Sequence, residues 1–265
     1  MTRVCVAGAT GWAGRALVDG VLAADDLELR GAVARAAAGR DLGEALGREP
    51  LGVPVHGAVG DALDGVDVLL DYTSHDAVKA NTVTAVECGV AVVIGTSGLT
   101  TADFQEIDAA ARARGVGVIA AGNFSLTAAM AQAAALLVAR HLPQWEVIDY
   151  AGASKADVPS GTSRELAERL GAVRATGAAQ PREEVSGPPE ARGATIEGSQ
   201  VHSLRLPGFV LSTEVIFGLP DERLSIRHDA GGSATPYVAG TLLAARAVTR
   251  RVGLTRGLDT LLSEA

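Results

Sequence analysis

Short apolar, β-branched runs recur along residues 3–121: "RVCVAG", "LELRGAVA", "VDVLLDY", "VAVVIGT" and "VGVIAAG". Each is followed by a turn or by a stretch of helical spacing, among them residues 11–23 and residues 101–114, the latter closed by Gly115. This alternation predicts a doubly wound parallel sheet of the Rossmann-like α/β class. Runs that are apolar at nearly every position are expected to be covered on both faces, as parallel strands are.

After "AAGNFS" the rhythm changes. An Ala/Leu-rich helix is expected over 126–140, then a strand "WEVIDYAG", a helix ending near Leu170, and a Gly/Pro/Ser-rich segment "TGAAQPREEVSGPPEARGATIEG". Two β-rich runs follow, "VHSLRLPGFVLSTEVIFG" and "ERLSIRHDAG", before a last helix over about 236–250. Strands that succeed one another without helices between them predict an α+β domain with an open, largely antiparallel sheet. The division expected is therefore 1–123 for the first domain, with a C-terminal helix 235–265 returning to it, and 124–234 for the second. The chain carries no internal repeat and no coiled-coil heptads.

Composition narrows the chemistry. Lys and Arg total 23 against 31 Asp and Glu, a formal charge of −8, so there is no basic excess to neutralise a phosphate backbone and no nucleic-acid partner is expected. No apolar run approaches the roughly 18 residues of a membrane span, and Met1-Thr2-Arg3 leads straight into the first strand, so a cytoplasmic location without membrane contact is expected. Cys5 and Cys88 lie in apolar runs and are read as buried thiols in a reducing compartment. Aromatic residues make up only 3% of the chain, so recognition should lean on polar groups and backbone amides. His56, His75, His141, His202 and His228 show no ligand spacing, and no metal site is expected. A G-x-S-x-G acyl-transfer motif is also missing.

Candidate chemistry gathers at four places. "VAGATGWAG" puts Gly8, Gly11 and Gly14 three apart between a strand and a helix, either a pyrophosphate-binding turn or a structural one. The second strand ends Val33-Ala34-Arg35, without the acid that holds a ribose 2′-hydroxyl. Arg35 is either a fork for a 2′-phosphate, which favours NADPH, or a solvated charge. "IGTSG", residues 95–98 with its leading Ile94, and Asn123 in "AAGNFS" lie where a strand edge meets ligand, or serve as a plain turn and a helix cap. In "KADVPSGTSREL", Thr162 and Glu165 have capping-box spacing, and Lys155 together with the Gly161 and Thr162 amides could bind a carboxylate. Tyr150 and Lys155 are five apart across a Gly-rich loop, not the four that would align them on one helical face as in short-chain dehydrogenases.

Taken in order, "VAGATGWAG", "LLDYTSHDA", "VVIGTSG", "AAGNFS", "SKADVPSGT", "VHSLRLPGFV", "EVIFG" and "LSIRHDA" resemble the dihydrodipicolinate reductase family over essentially the whole chain. The resemblance implies a cofactor domain, a second domain whose open sheet makes homotetramer contacts, and hydride transfer from NADPH or NADH to a cyclic, carboxylate-bearing unsaturated substrate. It implies that Gly8, Ala9, Thr10, Gly11, Trp12 and Ala13 hold the pyrophosphate and Arg35 the adenosine phosphate. Thr73, Gly95, Thr96, Ser97, Ala121, Gly122, Asn123 and Phe124 would frame the rest of the cofactor, and Lys155, Ser160, Gly161 and Thr162 the substrate carboxylate.

One passage departs from the family pattern. Where members read E-L-H-H-x-H-K, with adjacent histidines supplying the acid, this chain reads Asp149-Tyr150-Ala151-Gly152-Ala153-Ser154-Lys155. Alanine and glycine cannot donate a proton, whereas imidazole can near neutral pH. The expectation is a reductase of a C=N or conjugated C=C with an altered donor (Lys155, with Tyr150, Ser154 or water as secondary donors) and an altered, bulkier substrate, outside or beside lysine biosynthesis. The alternatives are the family's own reaction with a replaced acid, and a catalytically silent binder of NADPH or a metabolite.

Overall fold

In a computed structural model the chain is described over residues 1–175 and 179–262, and it divides into two compact units, Met1–Leu126 with Ala234–Ala265, and Thr127–Ser233. The first begins β1 (Thr2–Ala7), α1 (Trp12–Leu22), β2 (Leu27–Val33), a short α2 (Leu42–Ala45) and β3 (Val55–His56). It continues through β4 (Val68–Asp71), α3 (His75–Glu87), β5 (Ala91–Ile94), α4 (Thr101–Arg114) and β6 (Gly117–Ala120). Gly115, at φ +69, ends α4 in the left-handed region.

The second unit holds α5 (Leu126–Ala139), whose first residue belongs to the first unit, β7 (Trp145–Ala151), α6 (Gly161–Val173), β8 (Ala194–Ile196), β9 (Ser199–Arg205), β10 (Leu211–Leu219) and β11 (Glu222–Ala230). Its sheet runs β11-β10-β7-β9-β8, antiparallel at every pairing except β7 with β9. Strand alternation sorts β7 cleanly. Trp145, Val147, Asp149 and Ala151 are buried, while Glu146, Ile148 and Tyr150 on the other face are half-buried. The buried face packs with Ala135 and Ala139 of α5 and Leu166, Ala167 and Leu170 of α6, together with Val201, Val215 and Phe217. The Gly/Pro/Ser-rich segment ends in β8, and its residues 176–178 lie outside those described.

The chain then returns to the first unit as α7 (Thr235–Val248), β12 (Gly253–Arg256) and α8 (Asp259–Leu262). The expected helix over 235–265 is thus interrupted: Gly253 turns at φ +82, its N–H donates to Val116 O at 2.9 Å, and β12 pairs in parallel with β6. Residues 263–265 lie outside those described. The completed sheet runs β12-β6-β5-β4-β1-β2-β3, parallel at each pairing, with the strand order reversing between β1 and β4. That reversal leaves a crevice at the carboxyl ends of those two strands. Cys5 is buried as expected, but Cys88 is exposed, because it forms the C-cap of α3 and the buried run begins only at Val90, after Gly89 turns at φ +77.

Candidate active site

In the first unit, Val4 through Ala7 have no exposed surface, and the chain leaves the sheet at Gly8, beside the crevice. Gly8 has φ +82, and a Cβ there would lie 2.2 Å from Tyr72 O. A Cβ on Gly14 would lie 2.0 Å from Gly8 O, so α1 approaches the turn as closely as backbone allows. The N–H groups of Gly8 and Ala9 donate to Val33 O at 2.9 and 3.2 Å, and that of Gly11 to Gly8 O at 2.9 Å. These three residues therefore shape the turn. The first helical bond runs from Arg15 N to Gly11 O at 3.1 Å, so the Trp12, Ala13 and Gly14 amides precede it at a helix N-terminus suited to phosphate oxygens. Thr10 sits at the bend, its carbonyl accepting from Arg15 Nε at 3.0 Å, and Trp12 meets Tyr237 edge-on with ring centroids 5.7 Å apart. Arg35, exposed one residue past Ala34, makes no ion pair among the described residues.

The neighbouring strand ends bring Thr73 and Thr96 together around a residue that sequence reasoning missed. Asp71 has no exposed surface, and its Oδ1 accepts from Thr73 Oγ1 at 2.7 Å, Thr96 Oγ1 at 2.7 Å and Thr73 N at 3.1 Å. Asn81 Nδ2 donates to its Oδ2 at 2.8 Å, and Thr73 N also donates to Thr96 Oγ1 at 2.8 Å. A buried carboxylate supplied with donors in this way fixes the β4 and β5 ends against each other. Gly95 packs under Tyr72, where a Cβ would come within 2.2 Å of the ring, and Ser97 stands exposed beyond it. Ala121 N donates to Ile94 O at 3.3 Å, Gly122 is exposed, and Phe124 is buried with its ring 6.1 Å from that of Tyr72. Asn123 Oδ1 accepts from Ser125 N at 2.8 Å, closing a side-chain turn ahead of Leu126.

In the second unit the loop from β7 to α6 is organised by Asp149. Ser160, not Thr162, is the N-cap of α6, its Oγ accepting from Ser163 N at 3.4 Å. The expected capping box of Thr162 with Glu165 does not form because Asp149 takes Ser160 N at 3.0 Å and Ser160 Oγ at 2.6 Å, starting the helix earlier. Gly161 and Thr162 are consequently first-turn residues. Lys155 Nζ lies 2.8 Å from Asp157 Oδ1, and Ser154 is exposed beside it. Tyr150 is not brought to this loop. It points to the opposite sheet face, where its hydroxyl donates to Glu214 Oε2 at 2.9 Å and Arg227 lies 4.7 Å over its ring. Burial, then the Glu214 hydrogen bond, push its phenol above the ordinary range, which makes it a poor donor. Ala151 has no exposed surface, so no open space adjoins its side chain. A Cβ on Gly152 would lie 3.1 Å from Phe209 O.

Residues 2–124 match the N-terminal model of dihydrodipicolinate reductase and residues 122–262 the C-terminal one. The chain belongs to the dihydrodipicolinate reductase family. It is therefore an NAD(P)H-dependent oxidoreductase. It is 40% identical to the 4-hydroxy-tetrahydrodipicolinate reductase of Moorella thermoacetica, over 98% of this chain and 97% of that one, and 38% identical to that of Synechococcus elongatus over 98% of each. Among solved structures, a dihydrodipicolinate reductase of Paenisporosarcina sp. TG-14 with dipicolinate bound superposes with a TM-score of 0.76 at 29% identity, covering 98% of this chain and 99% of that one. No helix among the described residues is long and apolar enough to cross a membrane.

Proposed function

We propose that this dihydrodipicolinate reductase family member transfers hydride from NADPH, in preference to NADH, to a cyclic, carboxylate-bearing C=N or conjugated C=C, using a proton donor other than an imidazole pair. One observation carries the proposal. A single loop carries Lys155 and leads into the 13-residue helix that Ser160, Gly161 and Thr162 begin, and it starts from Ala151 and Gly152, which have no proton to give. The amides and the lysine suit a carboxylate. The bound nicotinamide supplies the hydride. Lys155 exchanges Asp157 for the substrate carboxylate, and the proton comes from its ammonium or from water held in the loop. Because Ala151 is buried, any room for a larger substrate is on the Gly152 side. Arg35, without an ion pair among the described residues and without a neighbouring acid on its strand end, supports the preference for a 2′-phosphate.

A second reading, the reaction of the named relatives, is favoured by 40% identity over nearly the full length of the chain. Turnover separates the two. The enzyme is given 4-hydroxy-tetrahydrodipicolinate and, in parallel, a panel of cyclic imino and conjugated carboxylates, with oxidation of reduced nicotinamide followed by its absorbance. Turnover confined to the first compound establishes the second reading; preference for another carboxylate establishes the first. Lys155→Ala that keeps full turnover, or Arg35→Ala that leaves the NADPH/NADH ratio unchanged, refutes the corresponding assignment. Homotetramer assembly through the outer face of the second sheet, which carries Ile148, Tyr150 and Glu214, belongs to the same proposal and is read from the mass in solution.

A further inference from the structure

Asp149 lies on the helix-covered face of the second unit's sheet with no exposed surface, where an ionised carboxylate is costly without partners. It has several. Besides Ser160 N and Oγ, it accepts from Ser163 Oγ at 2.9 Å, Ser203 Oγ at 3.1 Å and Arg205 Nη2 at 2.8 Å. Burial pushes this carboxyl up, but the hydrogen bonds from Ser160, Arg205 and Ser163 outweigh it and hold it below the ordinary range. A buried ion pair is not by itself a gain over apolar packing. The informative question is therefore what else the pair holds.

Arg205 answers it. Its guanidinium also donates to Lys155 O at 3.3 Å through Nε and to Asp157 O at 2.6 Å through Nη2, and its Nη1 donates to Leu204 O at 2.9 Å. Two of these acceptors are carbonyls of the loop between β7 and α6, and Asp149 takes the Ser160 amide that ends that loop. The pair thus grips the loop at Lys155, Asp157 and Ser160, from the lysine to its C-terminal end. Neighbouring strands supply the two side chains, since Arg205 is in register with Ala151 and Ser203 with Asp149. Both residues lie on one sheet face, facing the loop.

We propose that Asp149 and Arg205 are positioning residues: a buried clamp that sets the course of residues 152–160, and so aims Lys155 and the Gly161 and Thr162 amides at the substrate carboxylate. The clamp rests on reading that loop as the carboxylate site, and its test separates the two ideas. Arg205→Lys keeps a positive charge for Asp149 but loses the planar fork that reaches Lys155 O and Asp157 O together. The full-length variant is compared with wild type in three measurements: NADPH affinity, affinity for pyridine-2,6-dicarboxylate with NADPH saturating, and amide hydrogen exchange of residues 152–163.

The clamp predicts NADPH affinity within about twofold of wild type, a loss of about tenfold or more in dicarboxylate affinity, and exchange in 152–163 faster by a similar factor. Exchange in β10 and α5 should stay unchanged. A folded variant whose loop exchanges at the wild-type rate and whose dicarboxylate affinity is unchanged overturns the clamp. Wild type that binds no dicarboxylate while Arg205→Lys still loosens the loop overturns the carboxylate reading and leaves the clamp as a loop anchor. Asp149→Asn, which keeps the side-chain shape and weakens the hold on Arg205, is judged by the same readouts should Arg205→Lys fail to fold.

Discussion

Gly14→Ala tests whether the turn after β1 is built for close approach. Gly14 is the third residue of α1, its φ lies outside the left-handed region, and an alanine there has no backbone strain. Sterics are therefore isolated. The new Cβ would sit 2.0 Å from Gly8 O, 2.7 Å from Gly8 C and 2.9 Å from Ala9 Cα, all backbone, whereas contacts under 3.0 Å are essentially never seen. Helix and turn must then separate by 3.0 − 2.0 = 1.0 Å or more along that contact. Overpacking of this kind costs about 1–3 kcal/mol, and the upper end applies because no flexible side chain can yield. The better helix propensity of alanine offsets up to about 1 kcal/mol. The net loss, about 1–2 kcal/mol, lowers Tm by roughly 2–8 °C for a chain of this size. A shift of this length also takes the Trp12 and Ala13 amides out of range of a pyrophosphate. Losing one charge-assisted bond, about 1.5–3 kcal/mol, weakens NADPH about 10- to 150-fold. Titration of nicotinamide fluorescence beside a thermal melt reads both quantities. Gly14→Ala binding NADPH as wild type does would refute the reasoning.

Two further outcomes follow from the geometry. Asp157→Asn removes the carboxylate that holds Lys155 Nζ at 2.8 Å, while Asp157 O, the acceptor of Arg205, is retained. A partly exposed pair of this kind contributes about 0.2–1 kcal/mol, so affinity for pyridine-2,6-dicarboxylate should rise about 1.4- to 5-fold by calorimetry, and a fall would show that Asp157 helps to bind the substrate instead. Burial, with the charge of Asp71 second, pushes the Cys5 thiol up to about 12, while Cys88 is exposed. A chromogenic disulfide reagent at pH 8 should therefore titrate one thiol in the folded protein and a second only after denaturation; two fast thiols in the native state would contradict the burial of Cys5.

What the sequence made legible follows from the range of the forces involved. Apolar runs bounded by glycine are local signals, and β1, β2, β4, β5 and β6 fall where those runs lie. β3, two residues long, and β12, whose "GLTR" is half polar, carry no such run; their partners β2 and β6 create them. The Gly8 turn was visible because glycine at φ +82 answers a local need. Asp71 and Asp149 were not, because their partners come from afar: Thr96 is 25 residues from Asp71, and Arg205 is 56 residues from Asp149. A signal for Asp149 did exist. Period-two reading of "WEVIDYA" puts Asp149 on the same face as Trp145 and Val147, and an acid in an inward register demands donors.

The same alternation bears on the proposed change of proton donor. Tyr150 follows Asp149 and so must point away from the loop, where Glu214 and Arg227 hold it. Ser154 faces outward with an ordinary alcohol, far too weak an acid at neutral pH to protonate a substrate unaided. Asp157 engages the lysine rather than standing free as an acid. Of the donors proposed for this loop, Lys155 and water then remain. On the proposed function Lys155 acts only when a substrate carboxylate displaces Asp157, which would make proton transfer conditional on correct binding. On that proposal a carboxylate is the one substituent that this loop would require of any substrate, whichever ring bears it.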